Sequence, residues 1–320
     1  MSAFDPGSLT VTWRPADAPG GIADCAVRCE RPDVAGRLRG LEAQQAVALI
    51  PLLYALCSRA QGCAARLAWA AAQGQEVAAH VDAAVAAEAA REHAWRLCLD
   101  WPAQLGLAVD RPAFAGLAAA IAAGQRPGWT PPAWIETLAD EAPRAAALPA
   151  LDARASLQEW PPMDASFARR PLWRGAFAET GALARSGALE GGVRARVQAR
   201  ASELRDYLRG RPVLPGRASA VPVVPGMGRA LVETARGTLL HEIGVRDGRV
   251  ESYVIVAPTD WNFHAEGPLA LQLRAALQRD AAGDGARVQE ALSRWVLALD
   301  PCVRWAVERS SEGDGRRPGE

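Results

Sequence analysis

Residues Thr238-Leu-Leu-His-Glu-Ile-Gly-Val-Arg-Asp-Gly-Arg-Val-Glu-Ser-Tyr-Val-Ile-Val256 decide one part of the fold. Alternate positions from Leu239 to Val245, and again from Val250 to Val256, are mostly apolar, which is the pattern of a β-strand with one buried face. Asp247-Gly248 lies between the two runs and favours a tight turn. The stretch therefore predicts a β-hairpin.

Three other stretches of the sequence are predicted to be helical. Gly36–Gly124 is rich in alanine and leucine, and its apolar residues recur every three or four positions, as at Val77, Val81 and Ala84, which predicts a helical bundle. Two further helices are expected over Gly191–Arg209 and Ala282–Leu299, the second ended by Asp300-Pro301. The fold class is therefore mainly α with a small β part (α+β).

Prolines and glycines divide the chain. Only short helices fit between residues 126 and 174, because prolines recur there. At the start of the chain, the alternating residues Leu9–Trp13 predict a small strand. Prolines from 212 to 225 force an extended passage. We expect a mostly helical part over residues 1–210, a second part with the hairpin over residues 211–308, and a disordered tail over residues 309–320.

Composition excludes several classes of function. The chain has 320 residues, of which 50% are hydrophobic, and it carries 36 basic and 36 acidic residues. Zero net charge gives no field to hold nucleic acid or an anionic membrane surface. The longest apolar run, Ala46–Cys57, is too short to cross a bilayer and contains Pro51. No targeting pattern occurs in residues 1–20, so we expect a cytoplasmic protein whose six cysteines are thiols.

Common catalytic and metal motifs are missing from the sequence. The four histidines lack HExxH spacing and do not pair with cysteines, so zinc catalysis has no support. GxSxG, Walker-type and GxGxxG patterns do not occur either. Cys25 and Cys29 are four residues apart, but without a second pair they make no metal site.

Four short segments could carry chemistry. Arg236-Gly237 precedes a strand and could present guanidinium donors to an anion. Pro258-Thr259 follows the hairpin, and Asp300-Pro-Cys302 places a thiol just beyond a helix, where it could bind a soft metal. Tyr54, Cys57 and Gln61 share one face at helical spacing. Taken singly, each segment is more often structural: an ion pair, a capped turn, a buried thiol or a core helix.

Together these segments resemble the large subunit of nickel-iron hydrogenases, and in particular its short degenerate relatives, the HupK/HoxV family of hydrogenase maturation proteins. The match runs over Arg229–Glu308 and, more weakly, over Arg37–Pro102. The matching motifs occur in the family's order and at similar spacing, and they are Glu233-Thr-Ala-Arg-Gly237, Leu240-His241, the hairpin, Val256-Ala-Pro-Thr-Asp-Trp-Asn262, Gly267-Pro268 and Asp300-Pro-Cys302. The resemblance implies a large-subunit-like helical bundle with a C-terminal hairpin region.

The resemblance also shows which ligands are missing. Catalytic large subunits hold nickel and iron with Cys-x-x-Cys-x-x-x-His and Asp-Pro-Cys-x-x-Cys-x-x-His. Those motifs fall on Tyr54, Cys57 and Gln61, and on Cys302, Trp305 and Glu308. Two thiols remain, so the resemblance implies metal binding by Cys57 and Cys302 alone, with the four replaced positions as possible neighbours of the metal.

The remaining ligands suit iron without nickel. Two thiolates plus two cyanides and one carbon monoxide would give a five-coordinate low-spin iron. By resemblance, Arg236, Pro258 and Thr259 would border these diatomic ligands, with the arginine and the hydroxyl hydrogen-bonding to cyanide nitrogens. Hydrogen turnover is not expected, so we predict a protein that is not an enzyme, and Cys57 and Cys302 should meet in the interior.

Three functions stay open at this stage. The first is a scaffold that holds the iron-dicyanide-carbonyl unit and delivers it to the apo hydrogenase large subunit. The second is an interaction chaperone without cargo, and the third a degenerate hydrogenase or hydrogen sensor. By resemblance, the partners of the scaffold would be the HypC/HypD-type cofactor-building complex, a HypC-like small chaperone and the apo large subunit. Nucleic acid and membrane are not expected partners.

Overall fold

The computed structural model describes residues 7–14, 24–138, 157–161, 163–188, 191–280 and 285–310. Strands from the beginning and the end of the described chain share one sheet, and the helices fall mainly between β3 and β4 and between β7 and β8. The strands are β1 (Ser8–Arg14), β2 (Asp24–Glu30), β3 (Val77–Val81), β4 (Arg217–Val224), β5 (Met227–Thr234), β6 (Gly237–Arg246), β7 (Arg249–Val256) and β8 (Arg304–Arg309). The helices are α1 (Ala43–Leu53), α2 (Ser58–Ala72), α3 (Ala83–Trp95), α4 (Trp101–Gln104), α5 (Arg111–Ala122), α6 (Trp134–Thr137), α7 (Ala165–Arg169), α8 (Ala182–Arg185), α9 (Val193–Leu208), α10 (Pro258–Asn262), α11 (Pro268–Asp280) and α12 (Gly285–Leu299).

The predicted hairpin is confirmed and forms one end of a five-stranded sheet. The strand order is β3-β4-β5-β6-β7, and each neighbouring pair is antiparallel. Asp247 and Gly248 have φ values of +50° and +76°, which is the backbone that a two-residue hairpin turn requires and that Asp-Gly tolerates. β6 is buried along most of its length, so the hairpin belongs to the core.

Helix α2 packs directly on this sheet. Its buried face consists mainly of alanine, which lets a helix approach a sheet closely. Gly228 of β5 marks the closest approach, because a Cβ there would lie 2.2 Å from the backbone oxygen of Ala68. The small residues therefore fix the distance of α2 from the sheet.

A second sheet brings together the two ends of the described chain. Its order is β2-β1-β8, with β1 antiparallel to β2 and parallel to β8. The pairing continues to Ser310, whose N–H donates to Trp13 O at 2.8 Å. Residues 309 and 310, which the prediction assigned to the tail, are therefore paired with β1, and residues 311–320 lie outside the described residues.

The largest core lies among α3, α9 and α12. Trp101 and Trp295 are fully buried there, together with Leu204 of α9. A second core joins α1 and α2 to the five-stranded sheet. A third surrounds Trp261 at the end of the hairpin, as expected for a large aromatic residue in a capped turn.

The mixed α+β class is confirmed, with one local correction. Val77–Val81 was expected to be helical and is instead strand β3, which pairs with β4. Valine at both ends favours a strand, and Gly74 with φ +86° ends the preceding helix. The spacing of Val77, Val81 and Ala84 matched a helix by coincidence.

The other predicted elements mostly agree with the structure. Strand Leu9–Trp13 and helix Gly191–Arg209 correspond to β1 and α9. The last helix is confirmed from Gly285 to Leu299, and residues 281–284 lie outside the described residues. Between 126 and 174 the described helices are short, as predicted, whereas Pro143, Pro149 and Pro162 lie outside the described residues.

The division at residue 210 stays a prediction. The structure shows only that each sheet combines strands from both sides of that residue, since β3 pairs with β4 and β1 pairs with β8.

No single helix among the described residues is long and apolar enough to cross a membrane. Helix α1 and the following helical segment Ala55–Ala72 reach the required length and apolar composition when they are taken together, but the two are bent by 92° relative to each other.

Candidate functional site

Cys57 lies at a sharp bend between two helices. α1 ends at Leu53, a 3₁₀ turn covers Ala55–Cys57, and α2 begins at Ser58. Because the two helical segments meet at 92°, the expectation that Tyr54 and Cys57 lie on one helix face is wrong. The bend leaves Tyr54 and Cys57 on the wall of one cavity.

The Cys302 thiol is placed by the end of α12. Asp300 adopts a left-handed backbone with φ +60°, which aspartate tolerates and which ends the helix. Its buried carboxylate lies 2.6 Å from Arg96 Nη2, 2.8 Å from Arg200 Nη1 and 3.3 Å from Arg236 Nε. These guanidinium groups overcome the effect of burial and hold the pKa of Asp300 far below its usual range. Asp300 therefore anchors the segment that carries Cys302.

The structure brings Cys57 and Cys302 together. Both thiols line one cavity of about 340 Å³, although they come from opposite parts of the chain. Its other lining residues are Arg31, Pro32, Val34, Leu52, Leu53, Tyr54, Ala55 and Leu56. A small, mostly apolar cavity with two thiols at its wall could hold one soft metal ion with additional small ligands.

Thr259 contacts Cys302 directly. Its Oγ1 lies 2.8 Å from Cys302 Sγ and accepts a bond of 3.3 Å from the Cys302 backbone N–H. Thr259 is buried near the start of α10, whose first residue is the buried Pro258. Proline fits that position because the first N–H of a helix has no intrahelical partner. Thr259 therefore touches the Cys302 thiol, whereas Pro258 lines neither of the two described cavities at this site.

Arg236 is close to the thiols electrostatically but does not line the cavity. It occupies the β5–β6 turn, and its Nη2 donates to Glu92 Oε2 at 2.8 Å. Its Nε is buried, makes no hydrogen bond and lies near Asp300. The following Gly237 has φ +135°, and a Cβ there would lie 2.5 Å from Thr180 Oγ1. Arg236 is thus held in place by two carboxylates and a turn that requires glycine.

The replaced motif positions divide into two groups. Gln61 is buried and its Nε2 donates to Cys57 Sγ at 3.8 Å, so the expected contact one helical turn along α2 is present. Tyr54 lines the cavity. Trp305 and Glu308 lie in β8, which pairs with β1, and neither lines the cavity. The structure therefore brings Tyr54 and Gln61 to the thiols but not Trp305 or Glu308.

Sequence reasoning missed an arginine at this site. Arg31 lines the cavity, and its Nη1 lies 2.6 Å from both carboxylate oxygens of Asp260. Asp260 also accepts the Ala257 N–H at 2.7 Å, so the pair ties the segment after β2 to the start of α10. The two residues are 229 positions apart, and no local pattern in the sequence could have paired them.

A larger cavity of about 610 Å³ shares part of this wall. Arg31 and Tyr54 line both cavities. Thr259, which contacts the Cys302 thiol, lines the larger cavity. Cys29 and Tyr253 line the larger cavity as well. Burial raises the pKa of the Cys29 thiol to about 12, with smaller contributions from neighbours that include Cys302. Cys29 is therefore a third thiol in the region, and it does not line the smaller cavity.

Burial is the main influence on Cys57. It raises the pKa of the Cys57 thiol, and the adjacent Cys302 raises it further, whereas Arg236 lowers it. A protonated thiol is a poor ligand, but a soft metal displaces that proton. The environment therefore favours a neutral thiol in the absence of a metal.

The protein offers few ligands of its own. No group of three or more histidine, cysteine, aspartate or glutamate side chains with metal-binding geometry occurs in the part of the chain that the structure describes. A metal held by Cys57 and Cys302 would need further ligands that arrive with it.

Comparison with curated proteins gives relatives over almost the whole length. The chain is 31% identical to the hydrogenase expression/formation protein HoxV of Cupriavidus necator, over 93% of this chain and 94% of that protein. It is 32% identical to the hydrogenase expression/formation protein HupK of Azotobacter vinelandii, over 94% of this chain and 98% of that protein. The family model described as nickel-dependent hydrogenase matches residues 216–308, which run from the start of β4 into β8.

Solved structures show the same fold at low sequence identity. An NAD⁺-reducing [NiFe]-hydrogenase in the H₂-reduced state aligns with a TM-score of 0.57 and 15% identity, over 89% of this chain and 93% of that chain. The [NiFeSe]-hydrogenase of Dm. baculatum aligns with a TM-score of 0.51 and 13% identity, over 88% and 95% of the two chains. The fold is therefore that of hydrogenase large subunits. With its full-length relatives and this fold, the chain belongs to the HoxV/HupK family of hydrogenase expression/formation proteins.

Proposed function

We propose that this protein is a non-catalytic scaffold in the maturation of nickel-iron hydrogenase. It holds an iron ion with two cyanides and one carbon monoxide as a cargo, bound by Cys57 and Cys302, and delivers it to the apo large subunit. The observation that carries the proposal is that both thiols line one cavity of about 340 Å³. The family membership supports the general role, since the relatives are named as hydrogenase expression/formation proteins.

Ligand count favours this cargo over a nickel-iron pair. Two thiolates and three strong-field diatomic ligands complete a five-coordinate iron, whereas a nickel site of the hydrogenase type needs four sulfurs. Tyr54 stands at one of the missing cysteine positions and Trp305 at the other. We therefore expect no nickel and no hydrogen turnover.

The polar groups near the thiols suit an anionic cargo. Thr259 Oγ1 is within hydrogen-bond distance of Cys302 Sγ and can donate to that sulfur or to a cyanide nitrogen beside it. Arg236 is buried, its Nε lies 3.3 Å from Asp300 Oδ1, and its positive charge favours thiolate over thiol at Cys57. Both residues would stabilise the bound unit without entering its coordination sphere.

Delivery would be an exchange of ligands. The iron–sulfur bonds to Cys57 and Cys302 break, bonds to cysteines of the acceptor form, and the iron keeps its oxidation state and its diatomic ligands. The released sulfurs take up the protons that the acceptor thiols lose. Two protein ligands hold a metal less firmly than four, which suits a carrier. The proposed donor is the HypC/HypD-type complex or a HypC-like small chaperone, and the proposed acceptor is the apo large subunit.

Infrared spectroscopy tests the cargo directly. The protein is purified without oxygen after co-expression with the maturation proteins, as wild type and as Cys57→Ala and Cys302→Ala. We expect cyanide and carbonyl stretching bands in the wild type and their loss in both variants. Cys98→Ala is the matched control, because Cys98 is also partly buried but lines neither cavity.

The outcomes separate two functions. Bands that survive both substitutions would show that other groups hold the iron. If no sample has bands but the apo large subunit co-purifies, the protein is an interaction chaperone without cargo. One observation favours that second function: Leu52 and Leu56, at the rim of the cavity, are 75% and 52% exposed, as at a protein-binding surface.

A further inference from the structure

Three buried side chains form a row that ends at the Cys57 sulfur. Tyr253 OH lies 3.0 Å from His241 Nδ1, and His241 Nε2 lies 2.9 Å from Gln61 Oε1. Gln61 Nε2 then lies 3.8 Å from Cys57 Sγ. His241 and Gln61 are 0% and 1% exposed, and Tyr253 is 4% exposed, so water does not compete for these bonds.

The hydrogen bonds along this row can run, from donor to acceptor, in only two directions. Burial holds the pKa of His241 at about 3, so its ring is neutral and has one donor and one acceptor nitrogen. In the first direction, Tyr253 donates to Nδ1, Nε2–H donates to Gln61 Oε1, and the amide N–H donates to sulfur. In the second, every bond is reversed, and the sulfur must donate an S–H to Gln61 Oε1.

A metal on Cys57 removes the second direction. Sulfur bound to a metal carries no proton and can only accept a hydrogen bond, so the Gln61 oxygen facing it would be repelled. The amide must then turn its N–H towards sulfur, and its oxygen needs the His241 N–H to be satisfied. The structure has the Gln61 amide in the orientation of the first direction, with Nε2 towards Cys57 Sγ and Oε1 towards His241 Nε2.

We propose that Tyr253 and His241 are positioning residues that hold the Gln61 amide with its N–H donating to the Cys57 sulfur. The part of this inference that concerns iron rests on the proposed function. A hydrogen bond to a thiolate withdraws electron density from it, so the row weakens Cys57 as an electron donor to iron while it orients the sulfur. Cys302 has a comparable partner in the Thr259 hydroxyl, so each proposed ligand sulfur has a polar neighbour.

The tautomer of His241 tests the orientation without any iron. Protein produced without the maturation system is treated with methylmercury, which replaces the thiol proton, and mass spectrometry verifies the modification of Cys57. Nitrogen-15 NMR of histidine-labelled protein should show His241 protonated at Nε2 and bare at Nδ1. Protonation at Nδ1 would overturn the inference, because Gln61 would then have to turn its oxygen to sulfur.

The carbonyl band of the loaded protein tests the effect on iron. In Gln61→Leu and in Gln61→Met the donor is lost, so we expect the carbonyl stretch to move to lower wavenumber and iron retention to fall by roughly 10-fold or more. Tyr253→Phe should move the band in the same direction by less. Tyr207→Phe is the matched control, since Tyr207 lies on α9 away from both cavities, and its band should not move.

The outcomes of the two experiments distinguish an error in this inference from an error in the proposed function. A loaded Gln61 variant whose band is the same as that of the wild type would overturn the inference while leaving the proposed function intact. Wild-type protein without carbonyl or cyanide bands would count against the proposed function, and the tautomer in the methylmercury-treated protein would still decide how Gln61 is held.

Discussion

His241 makes the stability of the protein depend on pH. Its folded-state pKa of about 3 lies below the ordinary value of 6.5, because burial disfavours the imidazolium. Below pH 6.5 the unfolded chain therefore binds a proton that the folded chain does not, and the free energy of unfolding falls as the pH decreases towards 3. Between pH 6.5 and 5.5 this group should account for a loss of about 1 kcal/mol. The buried His93, whose pKa is also lowered by burial, adds to the same trend.

Urea unfolding at pH 6.5 and 5.5 measures this effect. His241→Gln should reduce the difference between the two pH values by about 1 kcal/mol, because the titrating group is gone. His80→Gln is the matched control, since it removes a histidine that is exposed on β3. Equal differences in wild type and His241→Gln would mean that His241 binds its proton equally well in the folded and the unfolded protein.

At the level of single residues, the two thiols and Thr259 could be predicted from the sequence as site residues, but the contacts that hold the surrounding segments in place could not. Cys57, Cys302 and Thr259 stand in recognisable motifs, and the structure places them at one site. Arg31 and its partner Asp260 meet only through the tertiary fold. The same is true of Glu88, whose carboxylate caps the N-terminus of α2 by accepting the Arg59 and Ala60 N–H groups.

Helix α2 carries Gln61, the neighbour of Cys57, and its backbone packs tightly against Gly228 of β5. Gly228 on β5 has no room for a side chain, because a Cβ would lie 2.2 Å from Ala68 O and from Ala72 N. Both atoms belong to the helix backbone, so the helix would have to shift as a unit. We expect Gly228→Ala to lower the free energy of unfolding by about 1–3 kcal/mol and to lengthen the contact between Gln61 and His241.

Chemical denaturation and the His241 NMR signals measure the two consequences. Gly116→Ala is the matched control, because Gly116 lies inside α5 with open space around it. That substitution should stabilise the protein by about 0.5–1 kcal/mol through helix propensity. Unchanged stability in Gly228→Ala would show that α2 can move away from the sheet at little cost.

At the level of elements, local patterns predicted the long helices and the hairpin but not the sheets they join. Asp247-Gly248 and the alternation on either side specify β6 and β7 locally. β3 and β8 are edge strands whose partners, β4 and β1, come from distant parts of the chain. β3 in particular has a spacing of apolar residues that also fits a helix, and its local strand signals are weaker evidence than its pairing with β4.

The whole molecule keeps the large-subunit fold while it exposes an apolar rim at the thiol cavity. The bend between α1 and α2 presents Leu52 and Leu56, which are 75% and 52% exposed, beside Cys57. In the proposed function, a cargo held by Cys57 and Cys302 would leave through a wall of the cavity, and the partner that receives it would approach closely enough for ligand exchange. The exposed rim of the smaller cavity is suited to such an approach.

Charged residues at this rim should separate delivery from loading. We expect Leu52→Asp with Leu56→Asp to reduce co-purification of the apo large subunit by 10-fold or more, because burying two carboxylates in an apolar interface costs several kcal/mol. The infrared bands and the urea midpoint should stay close to those of the wild type, since both side chains are solvent-exposed. Leu107→Asp, a substitution at another exposed leucine that lines neither cavity, should affect neither property. Retained co-purification of the double variant would place the docking surface elsewhere, whereas loss of the infrared bands together with co-purification would mean that the rim acts in loading as well as in delivery.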